Sequence, residues 1–284
     1  MTSTDRAFIA AIQQASSGLN GGAVSPDIDT NVSSVATPHF RATATQERGA
    51  RAPLSEHLAR RRQAAASTTK PAPKAATTPP LRPGVEVDSL RWPAVVGQLE
   101  TAARTELLGL LSQSTHGGQT AEAPAIAFVS AVTGVGATTA LLATARLIAS
   151  VGGKVAILDL TSSDGAASQL GVRRVAHLDG RLDATAIDDL LVTSRDQGTS
   201  VLAADGVRLA EAALERLTST HDLVLIDAGD AASTTAWLGA PAMSAATVLL
   251  VDTAGATARH AALTKLDKDG IQIAGIVETR IEAA

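Results

Sequence analysis

The sequence predicts an α/β protein built on a doubly wound, mostly parallel sheet. Three observations carry this reading. Short apolar runs rich in Val, Ile and Leu alternate with stretches of helical period through the second two-thirds of the chain. The runs are apolar throughout rather than at every second residue, as strands covered on both faces require. Three of them close on a polar residue (Ser130, Asp159 and Asp227), at the carboxyl ends where such sheets bind ligands.

The elements follow in order. Trp92-Pro93 opens the folded part, and residues 84–284 are expected to form the α/β domain. Val95 to Ser114 (VVGQLETAARTELLGLLSQS) carries Val96, Leu99, Ala103, Leu107, Leu110 and Leu111 at helical spacing, which predicts one long helix. Pro124 precedes the first strand, Ala125 to Ser130, where its missing N–H does least harm. A helix over Thr138 to Val151 leads through Gly152-Gly153 to a second strand, Lys154 to Leu160. An acidic helix around Thr185 to Thr193 and a strand at Ser200 to Ala203 come next. The helix Leu209 to Thr218, the strands Asp222 to Asp227 and Ala246 to Asp252, the helix Thr257 to Asp267 and the strand Ile271 to Thr279 complete the pattern.

Composition bounds the function classes. Hydrophobic residues make up 45% and aromatics only 2%, so Ala, Val and Leu build the core. With no Cys, neither a disulfide nor a thiolate metal site can form. No run approaches the roughly 18–20 uninterrupted apolar residues that span a bilayer. The start, MTSTDRAFIAAIQQ, is too polar for a signal peptide, so the chain reads as soluble and cytoplasmic. Residues 1–83 hold 10 Lys and Arg against 5 Asp and Glu, whereas the remainder holds 14 against 23. A basic, Pro-, Ala- and Thr-rich segment beside an acidic body predicts a disordered arm, with Thr68 to Pro83 as a stiff, extended linker. Two islands in the arm, Asp5 to Ala15 and Leu54 to Gln63, could order against a partner.

The stretch with chemical content is Ser130 to Thr139, SAVTGVGATT. An apolar strand, a Gly turn and an amphipathic helix describe a phosphate-binding loop, and the fold class sharpens to a P-loop NTPase type. Gly134 and Gly136 let the backbone curl so that N–H groups face an anion. Thr138 begins the helix where a P-loop hydroxyl would ligate Mg²⁺, beside Thr139 and the positive end of the helix. Asp227 has the place of a Walker B carboxylate, and Asp159 faces the same crevice. A working loop has Lys after its last Gly, to reach the β- and γ-phosphates; here that place holds Ala137. Without it a triphosphate loses charge-assisted contacts worth roughly 1.5–3 kcal/mol each. Gly134, Gly136, Thr138 and Thr139 therefore read as a vestigial phosphate loop, and Asp159 and Asp227 as vestigial catalytic positions. Thr138 and Asp227 would hold Mg²⁺ only with a bound ATP or ADP.

These motifs resemble those of the bacterial tyrosine kinases of capsular and exopolysaccharide export. That family's loop reads approximately SAVPGEGKST, against SAVTGVGATT here. Its second motif ends in Asp-x-Asp; Asp159 keeps the first and Thr161 replaces the second. Its Walker B strand reads YDFIIIDTPP, against HDLVLIDAGD from His221 to Asp230. Of its Glu-x-x-Arg-x-x-Arg helix, used in ring assembly, the places hold Gln98, Thr101 and Arg104. TSVLAADG, Thr199 to Gly206, is similar to a further family strand end, and Ala246 to Glu278 to its closing strand–helix–strand. The family's phosphoacceptor is a Tyr-rich tail, and this chain has no Tyr.

The resemblance implies a degenerate ATPase domain acting as partner or regulator of an inner-membrane polysaccharide co-polymerase or related export protein. It also implies a cytoplasmic location peripheral to that membrane and a homo-oligomer. Gly134 to Thr139, GVGATT, is also similar to the deviant loop GVGKTT of the wider MinD/ParA-like group, with Val132 at that group's signature Lys. A positioning or pilus-assembly pseudo-ATPase is thus a second reading. A nucleotide-binding ATPase with an unorthodox loop is a third. A nucleic-acid partner is disfavoured, because aromatics to stack on bases are nearly absent.

Overall fold

The computed structural model describes residues 37–44, 80–114, 124–161, 165–172, 183–240, 243–244, 246–253 and 255–282. Among the described residues nine strands join in one sheet: β1 (Thr37–Ala44), β2 (Val85–Val87), β3 (Ala125–Ser130), β4 (Val155–Asp159), β5 (Val192–Ser194), β6 (Thr199–Ala203), β7 (Leu223–Asp230), β8 (Thr247–Asp252) and β9 (Ile273–Glu282). Their spatial order is β1-β9-β8-β3-β7-β4-β6-β5-β2. Every pair is parallel except β1 with β9 and β5 with β6. The helices are α1 (Ala94–Ala102), α2 (Arg104–Ser114), α3 (Ala137–Ser150), α4 (Ala166–Gln169), α5 (Ala184–Leu190), α6 (Val207–Thr218), α7 (Thr235–Leu238) and α8 (Ala256–Lys268).

Because side chains alternate along a strand, one strand feeds two cores. Ile126 and Phe128 of β3 pack with Leu99, Leu107, Leu141 and Ile148 of α1, α2 and α3. Ala125, Ala127 and Val129 face the other side, with Leu190, Leu214, Leu217 and Leu266 of α5, α6 and α8. All six residues of β3 and all five of β4 are buried, which is why these runs are apolar from end to end.

The structure adds the short elements β2, α4 and α7 to the sequence reading, and departs from it in three further places. The long helix over Val95 to Ser114 is two helices, interrupted at Ala103, whose φ of −113° and ψ of 22° leave the helical region. The interruption lets α1 lie against α3, tied by Glu100 to Arg146 at 3.1 Å, while α2 runs on to meet β1. The acidic helix stops at Leu190 rather than Thr193. Val192 and Thr193 are β-branched and instead pair antiparallel with Val201 and Ser200. Finally, no strand was expected before residue 84, yet Thr37–Ala44 pairs along its whole length with β9. The islands Asp5 to Ala15 and Leu54 to Gln63 lie outside the described residues.

Two buried polar groups hold the far edge. Asp188 of α5 accepts from Arg216 of α6 through both oxygens, Nε to Oδ1 at 2.8 Å and Nη2 to Oδ2 at 2.7 Å. The same carboxylate accepts the Arg82 N–H at 3.0 Å, and the Asp188 carbonyl accepts the Gly84 N–H at 2.7 Å. Burial raises the Asp188 pKa, but the Arg216 and Arg82 donors outweigh it and hold the carboxyl below its usual range. Residue 84 must be Gly, because a Cβ there would collide with the Asp189 backbone. His221, 7% exposed, bonds Ser200 Oγ through Nε2 at 2.9 Å and Thr220 Oγ1 through Nδ1 at 2.9 Å. Burial pushes its pKa down to about 4. No helix among the described residues is long and apolar enough to cross a membrane.

Candidate phosphate-loop site

The loop between β3 and α3 forms as its glycines require. Gly134 has φ 87° and Gly136 φ 89°, left-handed conformations that only Gly adopts without strain. Gly136 is the N-cap of α3 and its carbonyl starts the helical ladder, accepting the Ala140 N–H at 2.9 Å. Ala137 and Val135 are buried, whereas Val132 is 44% exposed at the loop's crest.

Neighbouring strands pin this loop on both sides. Ser130 Oγ donates to the Gly229 carbonyl at 3.0 Å, and Thr133 Oγ1 to Asp230 Oδ2 at 3.2 Å. From the opposite side Thr279 of β9 donates to the Val135 carbonyl at 2.8 Å and to the Asp252 carbonyl at 3.2 Å. Asp230 is itself held by the Ala232 and Ser233 N–H groups. Burial raises its pKa, but donation from Ser233, Thr133 and Ala232 outweighs that and keeps it below the usual range.

The two predicted carboxylates stand level with each other, since β4 and β7 pair Asp159 with Asp227. Each is 1% exposed. Asp227 Oδ2 accepts from Thr138 Oγ1 at 2.9 Å and from the Ala166 N–H at 3.0 Å. Asp159 Oδ2 accepts the Ala167 N–H at 2.9 Å. Its Oδ1 accepts from the Thr161 N–H at 2.9 Å and the Thr161 hydroxyl at 2.6 Å. The first N–H groups of α4 are thus satisfied by the acidic pair, as a capping side chain would satisfy them. Gly165 makes the approach feasible: a Cβ there would collide with Thr161 Oγ1 and both Asp159 oxygens.

Electrostatically the pair is costly, because two carboxylates share a buried site. Burial first, and then the neighbouring Asp159 charge, push the Asp227 carboxyl up to about 7, although Thr138 and Ala166 donate to it. Asp227 Oδ1 is buried and has no hydrogen-bond partner among the described residues. Thr138 and Asp227 offer the oxygen ligands a hard cation takes. Among the described residues, however, no group of three His, Cys, Asp or Glu is placed to hold a metal unaided. The donor set therefore fits Mg²⁺ only with ligands added from a nucleotide's phosphates. Toward β9, Arg259 of α8 bonds Asp252 at 2.9 Å and Glu278 at 2.8 Å, so this cation is already engaged.

Ser130, Gly134, Gly136, Thr138, Asp159 and Asp227 all meet at the carboxyl ends of the central strands β3, β7 and β4, and Thr139 follows on the first turn of α3. Sequence reasoning missed Gly165, Asp230 and Thr279. Gly165 leaves a faint signal, a Gly four residues after Thr161 in a polar stretch. Thr279 leaves none, since its role depends on where β9 lies.

No family model matches the chain, and no curated protein matches it in sequence. Solved structures do. It is similar to the VpsO kinase domain, with 19% identity over 66% of this chain and 95% of that one, at a TM-score of 0.49. It is similar to the kinase domain of the Escherichia coli tyrosine kinase ETK, with 17% identity over 69% and 89% and a TM-score of 0.46. The MinC:MinD cell division complex of Aquifex aeolicus matches at 21% identity over 53% and 66%, with a TM-score of 0.41.

Proposed function

We propose that this chain is a pseudo-ATPase: a P-loop-type body, residues 84–284, that acts by binding rather than by turnover. One observation carries the reading. The Asp159 and Asp227 carboxylates hold the start of α4, and Ala137 stands where a phosphate-binding Lys would be. Five donors from Thr138, Thr161, Ala166 and Ala167 take up three of the pair's four oxygens within the fold. Nothing from Ala131 to Thr139 supplies a positive charge to offset a triphosphate.

The partner we infer is an inner-membrane polysaccharide co-polymerase or related export protein, met from the cytoplasmic side. The kinase-like order of motifs supports this choice. The GVGATT loop favours a MinD/ParA-like positioning protein as the second reading.

The test is equilibrium binding of a fluorescent ATP analogue with Mg²⁺ to the purified chain. Neither the parent nor Asp227→Asn is expected to bind at micromolar concentration, and Ala137→Lys is expected to gain affinity by roughly tenfold or more, one charge-assisted contact. Micromolar binding by the parent that Asp227→Asn abolishes would establish the nucleotide-binding alternative instead.

A further inference from the structure

The far side of β9 is where the arm meets the body. β9 is ten residues long, and its inner neighbour is β8. Its outer neighbour, β1, comes from the arm and pairs along all eight of its residues, from Thr37 opposite Glu282 to Ala44 opposite Gly275. Without β1, β9 would be a long edge of unpaired N–H and C=O groups, the template on which another strand adds.

The arm strand has the pattern such a site selects. TPHFRATA alternates strictly: Pro38, Phe40, Ala42 and Ala44 are apolar, and Thr37, His39, Arg41 and Thr43 are polar. The register sets the apolar set level with Ile281, Thr279, Val277 and Gly275, and Val277 belongs to the buried core. A slip of one residue would put the polar set there instead, so the pairing is specific in register.

The covalent connection does not confine β1 to its own chain. It re-joins the body at β2, on the opposite edge of the sheet. Nine strands spaced about 4.8 Å apart put these edges roughly 38 Å from each other. The roughly 35 residues between Ala44 and Pro80 can extend to about 115 Å at full stretch. The tether thus reaches across with slack, and the same slack reaches a neighbouring molecule.

We propose that the outer edge of β9 is a strand-docking surface for Thr37–Ala44, filled by the chain's own arm or by that of a second copy, so that two chains associate by exchanging β1. Exchange adds no new contact, because the swapped strand makes the pairing it makes at home. The tether gives the home strand an effective concentration on the order of millimolar, so exchange prevails only where chains are crowded.

The absence of Cys makes a disulfide test clean. Thr43 and Ile276 are register partners, at a separation a disulfide spans. The full chain carrying both Thr43→Cys and Ile276→Cys is expected to oxidise to an intramolecular disulfide when dilute. An equimolar mixture of the two single variants, concentrated and then oxidised, is expected to give the mixed disulfide dimer. Its yield should be several-fold above a mixture of Thr43→Cys with Gln272→Cys, which lies outside the register. His39→Cys with Arg280→Cys repeats the test should the first pair fail to fold. No intramolecular disulfide in either register pair overturns the docking of β1, and no mixed dimer above the control overturns the exchange.

Discussion

Asp227 and His221 titrate in overlapping pH windows and act on stability with opposite sign. Asp227 lies at about 7 in the fold against 3.8 in the unfolded chain, so between those values the native state holds the extra proton. Stability from this group is present at low pH and lost as pH rises, by about 4 kcal/mol over the window. His221 lies at about 4 against 6.5, so there the unfolded chain holds the extra proton. Its contribution is present above that range and is lost as pH falls, by about 3 kcal/mol. The two oppose each other, so the parent chain is expected to vary less across the window than either single variant. Single substitutions unmask each slope. Asp227→Asn removes the acid and should leave stability rising with pH by about 3 kcal/mol; His221→Gln should leave it falling by about 4 kcal/mol. Urea unfolding at constant ionic strength, followed by circular dichroism from about pH 4.5 to about pH 7.5, reads the slopes directly. If Asp227→Asn tracks the parent in parallel across that range, the buried acidic pair is not the cause and the account of the site is wrong.

Other perturbations test the packing around the site. Arg216→Ala leaves Asp188 buried with only the Arg82 N–H, and should cost about 3–5 kcal/mol in urea unfolding. Joining it to Asp188→Leu should recover much of that loss, since no unpaired charge then remains. Gly165→Ala drives a Cβ into Thr161 and Asp159 and should lift α4, costing about 1–3 kcal/mol and exposing residues near Ala166 to limited proteolysis. Gln197→Ala removes the acceptor for the Trp92 indole at 2.8 Å and the Leu90 N–H at 3.2 Å. It should cost about 1–2 kcal/mol and shift Trp92 emission to longer wavelength.

The parallel sheet was legible because β3, β4, β6, β7 and β8 are short apolar runs between helical stretches, a pattern few other architectures produce. The glycine turn was legible because Gly134 and Gly136 stand between a strand and a helix. What stayed hidden depends on contacts distant in sequence. β1 is a strict alternation of eight residues, but its Pro and its charged surroundings resemble a solvated tail until β9 is placed beside it. β2 and β5 are three residues each, too short for any period to register. The clamp of α4 on the carboxylates was invisible for another reason: it is made by backbone N–H groups, which every residue but Pro carries.

The pairing of β3 with β7 slips between Phe128 and Val129, so that Asp227 and then Gly229 stand opposite consecutive residues and Ala228 is the extra one. In a regular strand, residues three apart point to opposite faces. The bulge resets that parity, and Asp227 and Asp230 come level with Phe128 and Ser130, two positions of like parity on β3. A single strand can therefore send one carboxylate to Thr138 and a second to Thr133, either side of the glycine turn. Ala228, itself buried and apolar, is in this sense a spacer. Deleting it would leave both carboxylates in the sequence and take one of the loop's two acidic anchors off its face.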